Sequence, residues 1–398
     1  MAPTHRLPVP VDPPIYLDHA ASTPMRPEAV AAMLPYLTDA FANPSGGHAA
    51  ARASKTALEE ARETVARGLG AAPGEVVFTG GGTEADNLAI EGAARATRSR
   101  GGGRGVVTCA FEHKAVLAAC DRLDREGFRI TRIPATRAGI VDLDALADAV
   151  GADTAVVSLM AVNNEVGTVQ PLAEAAAIIG VRAPDAVLHT DAVQAVPWVD
   201  VAEITAPAAL VSISAHKFGG PKGTGALVVR DGVEVQPLLE GGGQERGLRA
   251  GTVNVAGAVA MAAALRVTIE QRDADVARIG RLRDRLLGGL EAAIPGLTVN
   301  GDPARKVAGN LHVRIPGVEA DTLLVALDRA GVCAAAGSSC SSGATEPSYV
   351  LAAMGMDRDD AISSIRLSLG FASTDADVDA ALVVIPDVVR SMRARSAA

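Results

Sequence analysis

Short runs of β-branched residues alternate with alanine-rich, helix-like stretches between about residues 70 and 230. Seven runs have the length and composition of buried strands: EVVFTG, GVVTCA, RITRIP, AVVSLMAV, VLHTDA, LVSISA and ALVVR. Segments such as TEADNLAIEGAAR and HKAVLAACDRLDREG lie between them. This alternation predicts an α/β layer structure with a mostly parallel sheet. Because only a glycine-rich turn joins LVSISA to ALVVR, we expect ALVVR to be antiparallel to its neighbour.

The pattern changes after the segment GLRAGTVN. Residues from about 254 to 295 carry Ala, Leu, Ile and Arg at helical spacing and predict one long helix. A strand-like NLHVRIP, a helical DTLLVALDRAG, a strand-like SSIRLSLG and a final helix to residue 396 follow. This order predicts a second, smaller α+β domain, and no internal repeat or low-complexity linker separates it from the first.

Composition and charge narrow the class of protein. The 398 residues are 48% hydrophobic and 21% charged, a balance that supports a large core. The net charge of −9 argues against a broad electrostatic grip on nucleic acid or on an acidic membrane surface. The proline-rich start MAPTHRLPVPVDPP lacks the apolar core of a secretory signal, and VAGAVAMAAAL is too short to span a bilayer.

The four cysteines fall in different kinds of segment and show no CxxC spacing. They are Cys109, Cys120, Cys333 and Cys340. This pattern argues against a zinc site or a disulfide framework and favours a reduced, cytoplasmic protein. Cys340 differs from the others because it lies in GSSCSSG, a segment typical of a solvated loop rather than of a core.

A glycine-rich turn follows the strand candidate EVVFT. Gly80–Gly82 allow backbone amides to approach an anion, and a helix that starts after glycines is a common phosphate site. Thr83 and Asp86 have the spacing of a capping box, which predicts that the helix begins there. A plain strand–helix turn is the alternative, and this motif alone leaves both open.

A carboxylate and an amine follow two later strand candidates. Asp191 comes directly after VLHT, where it is either a functional carboxylate or a simple helix cap. Lys217 lies between LVSIS and a glycine run, where it is either an exposed turn lysine or an amine held inside a site. A buried lysine has a lowered pKa and can act as a Schiff-base nucleophile or as a general base.

These three features match one cofactor. Ligands bind outside the carboxyl ends of strands in open α/β sheets, so an anion site, an aspartate and a lysine on successive strand ends should meet. Pyridoxal phosphate requires amides and hydroxyls for its phosphate, a carboxylate for its ring nitrogen and a lysine for its aldehyde. The sequence therefore predicts a pyridoxal-phosphate site.

Ordered motifs now identify a family. The chain resembles the group I cysteine desulfurases of the NifS/IscS type, in the class V aminotransferase family of fold-type I enzymes. The motifs run in family order from YLDHAASTP at residue 16 to SSIRLSLG at residue 370: ANPSGGH, FTGGGTEADNLAIEG, EHKAV, VNNEVG, TDAVQ, SAHKFGGPKGTGAL, GGGQERGLRAGT and EPSYVLAAMG. The resemblance implies a seven-stranded sheet in a large domain at residues 26–262 and a small domain at residues 263–398. By the same resemblance, residues 1–25 would form an N-terminal segment that partly joins the small domain.

The resemblance also implies how the cofactor is held. Lys217 would bind its aldehyde and later move protons, Asp191 would pair with the ring nitrogen, and Gln194 would bond the phenolate oxygen. His113 would stack on the ring, although a histidine that merely starts a helix is the simpler interpretation. The phosphate would be bound by Gly82, Thr83, Ser214 and His216, with Thr252 supplied by the partner subunit of an obligate homodimer.

The remaining implied roles concern the substrate, L-cysteine. Asn164 would lie near both cofactor and substrate, and Arg366 would bind the substrate carboxylate. Without the family context, Arg366 would be interpreted as an edge-strand salt bridge. The Cys340 thiolate would attack the substrate sulfur and become a persulfide, which implies catalytic roles for Cys340, Lys217 and His113. Cys109, Cys120 and Cys333 would be packing residues.

The implied activity is conversion of L-cysteine to L-alanine with transfer of sulfur to an acceptor protein. Iron–sulfur cluster assembly is the default destination, and thiolation of tRNA or sulfur modification of DNA stay open. A selenocysteine lyase and a cysteine sulfinate desulfinase are the nearest alternatives. A sulfur-carrier scaffold that kept the fold without the cofactor is the alternative of a different class. Direct binding to nucleic acid or to a membrane is not expected.

Overall fold

The computed structural model describes residues 14–337 and 347–396. Within these ranges the strands and helices alternate through most of the chain. The strands are β1 (Ile15–Tyr16), β2 (Val76–Thr79), β3 (Gly105–Cys109), β4 (Arg129–Ile133), β5 (Thr154–Ser158), β6 (Val187–Asp191), β7 (Leu210–Ser214), β8 (Gly225–Val229), β9 (Thr298–Val299), β10 (Asn310–Arg314), β11 (Val332–Cys333) and β12 (Ser364–Ser368). The helices are α1 (Pro27–Leu37), α2 (Ala49–Gly68), α3 (Gly82–Ser99), α4 (Lys114–Arg125), α5 (Leu143–Ala149), α6 (Leu172–Arg182), α7 (Val201–Ile204), α8 (Val255–Ala293), α9 (Ala320–Arg329), α10 (Tyr349–Ala353), α11 (Arg358–Ile362) and α12 (Asp375–Ser396).

A seven-stranded sheet forms the larger part of the molecule, with the strand order β2-β8-β7-β6-β5-β3-β4. Strands β7, β6, β5, β3 and β4 are parallel, whereas β8 is antiparallel to both of its neighbours. All seven predicted runs form this sheet, so the predicted mostly parallel α/β architecture is confirmed. ALVVR is the antiparallel strand, as expected from a connection too short for a crossover helix.

Alternate residues of these strands enter two different cores. Val77, Val156 and Leu227 pack with the apolar faces of α3 and α4, whereas their neighbours Val157 and Val228 belong to the core on the opposite side. Side chains on a strand point alternately to its two faces, and a parallel sheet is covered on both. Strands β5, β7 and β8 are accordingly buried along their whole length.

Helix α8 runs from this region into the second one. Its first half contributes Met261 and Leu265 to the core of the large sheet, and its second half contributes Leu282 and Leu286 to a separate core. That second core is covered by α9, α12 and an antiparallel three-stranded sheet of order β12-β10-β9. The predicted long helix at residues 254–295 is thereby confirmed. The predicted boundary at residues 262 and 263 lies inside this helix, and the division into domains stays a prediction.

The N-terminal described residues pack on the second core. Strand β1 pairs in parallel with β11, Leu17 is fully buried in that core, and Asp18 pairs with Ser368 of β12. The chain then turns toward the large sheet, where the amide of Arg26 donates to the carbonyl of Gly219. Residues 18–26 therefore lie across the junction of the two regions. Among the described helices, none is long and apolar enough to cross a membrane.

Candidate active site

A cavity of about 290 Å³ opens at the carboxyl ends of the parallel strands, next to the residues that follow β1. All but two of the predicted site residues line it. These are Gly82, Thr83, His113, Asn164, Asp191, Gln194, Ser214, His216, Lys217 and Arg366. Thr252 is exposed and does not line this cavity. Cys340 lies outside the described residues, so its prediction has no structural counterpart here.

The glycine turn forms one end of the cavity. Helix α3 begins at Gly82, and a methyl group on Gly82 would lie 2.9 Å from Val193 Cγ2 and 3.3 Å from Ser214 Cβ. The carboxylate of Glu84 accepts the Gly80 amide at 2.8 Å and pairs with Arg249 at 2.8 Å. The first-turn amides of α3 and nearby hydroxyls are thus available for an anion.

The predicted capping box is wrong. The residue before the helix is Gly81, which has no side chain to cap it, and Glu84 is the first-turn carboxylate that bonds backward. Asp86 is instead 1% exposed and lines the cavity. The helix starts two residues earlier than the Thr83–Asp86 spacing implied, and Asp86 lies on the buried face of α3, which packs against the sheet.

Asp191 ends β6 and points into the cavity. Its Oδ1 accepts the Val193 amide at 2.9 Å. Burial raises the pKa of Asp191, and the opposing influences are His113, the Val193 amide and Lys217. A buried carboxylate with these neighbours is suited to hold a cation such as a protonated ring nitrogen.

His113 combines both interpretations that the sequence allowed. It is the residue before α4, and its Nδ1 accepts the Ala115 amide at 3.2 Å, so it does start a helix. It also lines the cavity beside Asp191. Burial lowers the pKa of His113 and, with Lys217 and Lys114, outweighs the attraction of Asp191, which leaves a neutral, planar ring.

Lys217 follows β7 in a single 3₁₀ turn. Its Nζ donates to the carbonyls of Ala20 and Ala21 at 2.7 and 2.9 Å. The amine is therefore held inside the site rather than in a solvent-exposed turn. The same carbonyl of Ala20 accepts from Gln194 Nε2 at 2.8 Å, so one backbone segment positions both side chains.

Arg366 lies on β12, with 2% of its surface exposed. Its Nη1 donates to the Asn164 carbonyl at 2.8 Å, and its Nη2 lies 2.8 Å from Asp18 Oδ1. The guanidinium thus makes a salt bridge and also lines the cavity. Within the described residues, Arg366 Nε and Asn164 Oδ1 are buried polar atoms without a hydrogen-bond partner. Such atoms fit a site that binds a polar ligand.

Three participants were not predicted from the sequence. Asp18 pairs with Arg366, the carbonyls of Ala20 and Ala21 hold Lys217, and Asp86 lies close to Asp191. The motif YLDHAASTP contains Asp18, Ala20 and Ala21, but nothing in its residue types indicates that backbone carbonyls in it bind a lysine. The donor set as a whole fits pyridoxal phosphate, since the amide turn, the hydroxyls, the carboxylate and the lysine line one cavity of adequate size.

Comparisons with known proteins agree with this geometry. The family model for class-V aminotransferases matches residues 15–381. A relative named cysteine desulfurase IscS, from Methanosarcina thermophila, is 42% identical over 379 residues, which cover 95% of this chain and 93% of the relative. A solved structure described as a NifS-like protein has a TM-score of 0.89 at 33% identity and covers 95% of this chain and 100% of its own. A structure of SspA in complex with cysteine has a TM-score of 0.77 at 32% identity, with 89% and 98% covered.

Proposed function

Because the chain belongs to the class-V aminotransferase family, we propose that it is a pyridoxal-phosphate-dependent cysteine desulfurase. The observation that carries the proposal is the position of Lys217. Its amine lies in the same cavity as Asp191, the Gly82–Thr83 turn and Arg366. Together these residues can bind the aldehyde, the ring nitrogen and the phosphate of the cofactor and the carboxylate of the substrate in one cavity.

The cofactor residues would act as follows. Gly82, Thr83, Ser214 and His216 would hold the phosphate, and burial lowers the pKa of His216 to about 4, so its ring is neutral. Asp191 would keep the ring nitrogen protonated. Pyridoxal phosphate supplies an electron sink that acidifies the Cα proton of a bound amino acid.

The substrate residues would bind and orient L-cysteine. Arg366 would take the substrate carboxylate in a bidentate pair, which places Cα near the Lys217 amine. Lys217 would remove the Cα proton and return protons to the product. Asn164 would also orient the substrate, by accepting a hydrogen bond at its unpartnered amide oxygen.

The thiol of Cys340 would remove the sulfur. As a thiolate it would attack the substrate sulfur, so that an S–S bond forms and the Cβ–S bond breaks with its electron pair left on the three-carbon product. That product takes up protons and leaves as L-alanine. Cys340 then carries a persulfide, which an acceptor protein collects for iron–sulfur cluster assembly or another thiolation.

We further propose a homodimer in a reducing, cytoplasmic setting. Thr252 is exposed on its own subunit, which leaves its hydroxyl free to reach the phosphate of the partner subunit. The free thiols of Cys109, Cys120 and Cys333 support the reducing compartment.

The test uses the purified protein. We expect a visible absorbance from bound cofactor that is lost in Lys217→Ala and kept in Lys114→Ala, together with equal release of alanine and transferable sulfur from L-cysteine. Greater release of selenide or sulfite from the matching substrates would favour the selenocysteine lyase or the sulfinate desulfinase. A colourless protein that cannot take up added cofactor would favour the scaffold.

A further inference from the structure

A second carboxyl, that of Asp86, lies close to Asp191 in the wall of the cavity. Asp86 is 1% exposed, and its Oδ1 has no hydrogen-bond partner among the described residues. One oxygen each of Asp86 and Asp191 and one ring nitrogen of His113 all lie within 4.8 Å of one another. None of the residue roles proposed above involves Asp86.

The groups that face Asp86 supply no positive charge. From β6, His189 Nε2 lies 3.6 Å from Asp86 Oδ1, but its ring is held between the hydroxyls of Ser158 and Ser212 at 2.8 and 3.0 Å. Burial lowers the pKa of His189 to about 3, so it is neutral. The Ser212 hydroxyl of β7 acts to lower the pKa of Asp86, whereas the nearby Glu112, another fully buried carboxyl, acts to raise it.

Two carboxylates this close cannot both ionise in a buried wall without a cation. Asp191 has the features that stabilise a charge, because it accepts the Val193 amide and lies near Lys217. Asp86 has neither of these. Burial and the charge of Asp191 instead raise the pKa of Asp86 well above its usual range.

Resting on the proposed function, we propose that Asp86 is a positioning residue that stays a neutral acid beside Asp191. It thereby leaves a single negative charge, that of Asp191, to face the ring nitrogen of the cofactor. A second negative charge in the wall would raise the proton affinity of Asp191 and let it take the proton it must leave on the ring. A neutral acid keeps the wall polar without that charge.

Infrared spectroscopy tests the protonation directly in the unmodified protein. Aspartate labelled with carboxyl ¹³C separates Asp86 from the buried Glu112, and exposed aspartates are ionised at pH 7. We expect a label-shifted C=O band of a protonated aspartate at pH 7, both with and without cofactor. If no such band is present at pH 7, the proposal is wrong.

Variants show which aspartate gives the C=O band and whether its protonation affects cofactor binding. We expect Asp86→Asn to remove the band and to raise the dissociation constant for pyridoxal phosphate no more than about threefold, since a neutral acid is replaced by a neutral amide. Asp191→Asn should raise the same constant about 100-fold, because it removes a charge next to a cation. Asp124→Asn, an exposed change on α4, is the control and should alter neither quantity.

The two proposals fail in different ways. If Asp86→Asn weakens cofactor binding as strongly as Asp191→Asn, Asp86 carries a charge and this inference is overturned. If the wild-type protein binds no cofactor at all, the proposed function fails, while the infrared band still reports whether Asp86 holds the proton.

Discussion

Arg366 is held by two partners that belong to distant parts of the chain. Asp18 precedes it by 348 positions and takes one side of the guanidinium, while the Asn164 carbonyl takes the other. If Arg366 binds the substrate carboxylate as proposed, that carboxylate has to share the guanidinium with Asp18, and this pair would then set both the position and the strength of substrate binding. Planar, bidentate contact is what arginine provides and lysine does not.

Arg366→Lys tests that geometry while keeping the charge opposite Asp18. We expect KM for L-cysteine to rise about 10- to 100-fold, because the bidentate pair is lost. Cofactor affinity should stay within about twofold of wild type, since binding of the phosphate and ring does not use residue 366. Steady-state kinetics and titration of the cofactor absorbance measure the two effects. Arg314→Lys, on the neighbouring strand, is the control, and an equal loss of cofactor affinity in Arg366→Lys would contradict the assigned role.

The buried His189 makes stability depend on pH. Its pKa is about 3 in the folded protein and 6.5 ordinarily, so between these values the unfolded chain binds a proton that the folded one does not. The stability that the neutral His189 ring contributes to the folded protein is therefore complete above pH 6.5 and is lost as the pH falls toward 3.

His189→Gln removes this dependence. We expect the variant to be less stable than wild type at pH 7.5, because Ser158 and Ser212 lose the ring that joins them. The difference in the free energy of unfolding should narrow by about 1.4 kcal/mol for each pH unit below 6.5. Urea unfolding of both proteins at several pH values measures this, and two parallel stability curves would refute it.

The position of a single residue could be predicted from the sequence where that residue lies at or just after the end of a strand of the large sheet. Asp191 and Lys217 could be placed together because they end neighbouring strands, and the carboxyl ends of those strands meet at one edge. Asp18 could not be placed, because it reaches the site through a long-range pairing that no local pattern shows. Asp86 was assigned to a cap because residue type and spacing do not reveal which face of a helix packs against the sheet.

At the scale of elements, the start of α3 is the proposed binding site for the cofactor phosphate. Gly82→Ala would put a methyl group 2.9 Å from Val193 Cγ2 and against Ser214. We expect a rise of at least about 10-fold in the dissociation constant for pyridoxal phosphate, because the turn must move out of its position in the cavity wall.

The matched control for this change is Gly180→Ala in α6, where an added methyl group meets no atom within 4 Å. It should stabilise the protein slightly, because alanine favours a helix by roughly 0.5–1 kcal/mol over glycine. Cofactor titration and thermal unfolding distinguish the two variants. Unchanged cofactor affinity in Gly82→Ala would show that this turn does not hold the phosphate.

Helix α8 joins the two cores, and its continuity predicts that they unfold together. Leu286 is fully buried in the second core, so Leu286→Ala should lower the free energy of unfolding by about 2–5 kcal/mol. Trp198, the one tryptophan of the sequence, packs against both cores and reports on them. We expect its fluorescence transition to coincide with the loss of helical circular dichroism in this variant. Val325→Ala, at an exposed position of α9, is the control, and separated transitions would show that the cores unfold independently.

At the scale of the whole molecule, the sheet predicted from the sequence is confirmed, whereas the division into domains stays a prediction. Strand runs of β-branched residues are local signals, and the long helix carries its own periodicity. The boundary at residues 262 and 263 came from the family resemblance, and it lies inside α8, which runs through that point without a break. One helix that serves two cores leaves no composition change at the crossing.

A site shared between subunits makes a prediction that only mixed dimers can test. If residue 252 completes the partner's phosphate site, each active site takes Lys217 from one subunit and Thr252 from the other. Lys217→Ala and Thr252→Arg should then each be inactive alone. Random mixing should restore about one quarter of wild-type activity, because half of the dimers gain one intact site of two.

Lys217→Ala mixed with Asp191→Asn is the control for that experiment. Both changes affect the site of their own subunit, so every site in the mixed dimer keeps one defect and no activity should return. The measurement is alanine formation from L-cysteine after co-refolding, with the dimer confirmed by its mass in solution. No recovery in the first mixture would place Thr252 outside the partner's site and remove the reason for an obligate dimer. Recovery in the control mixture would show that Lys217 and Asp191 of one subunit do not serve the same site.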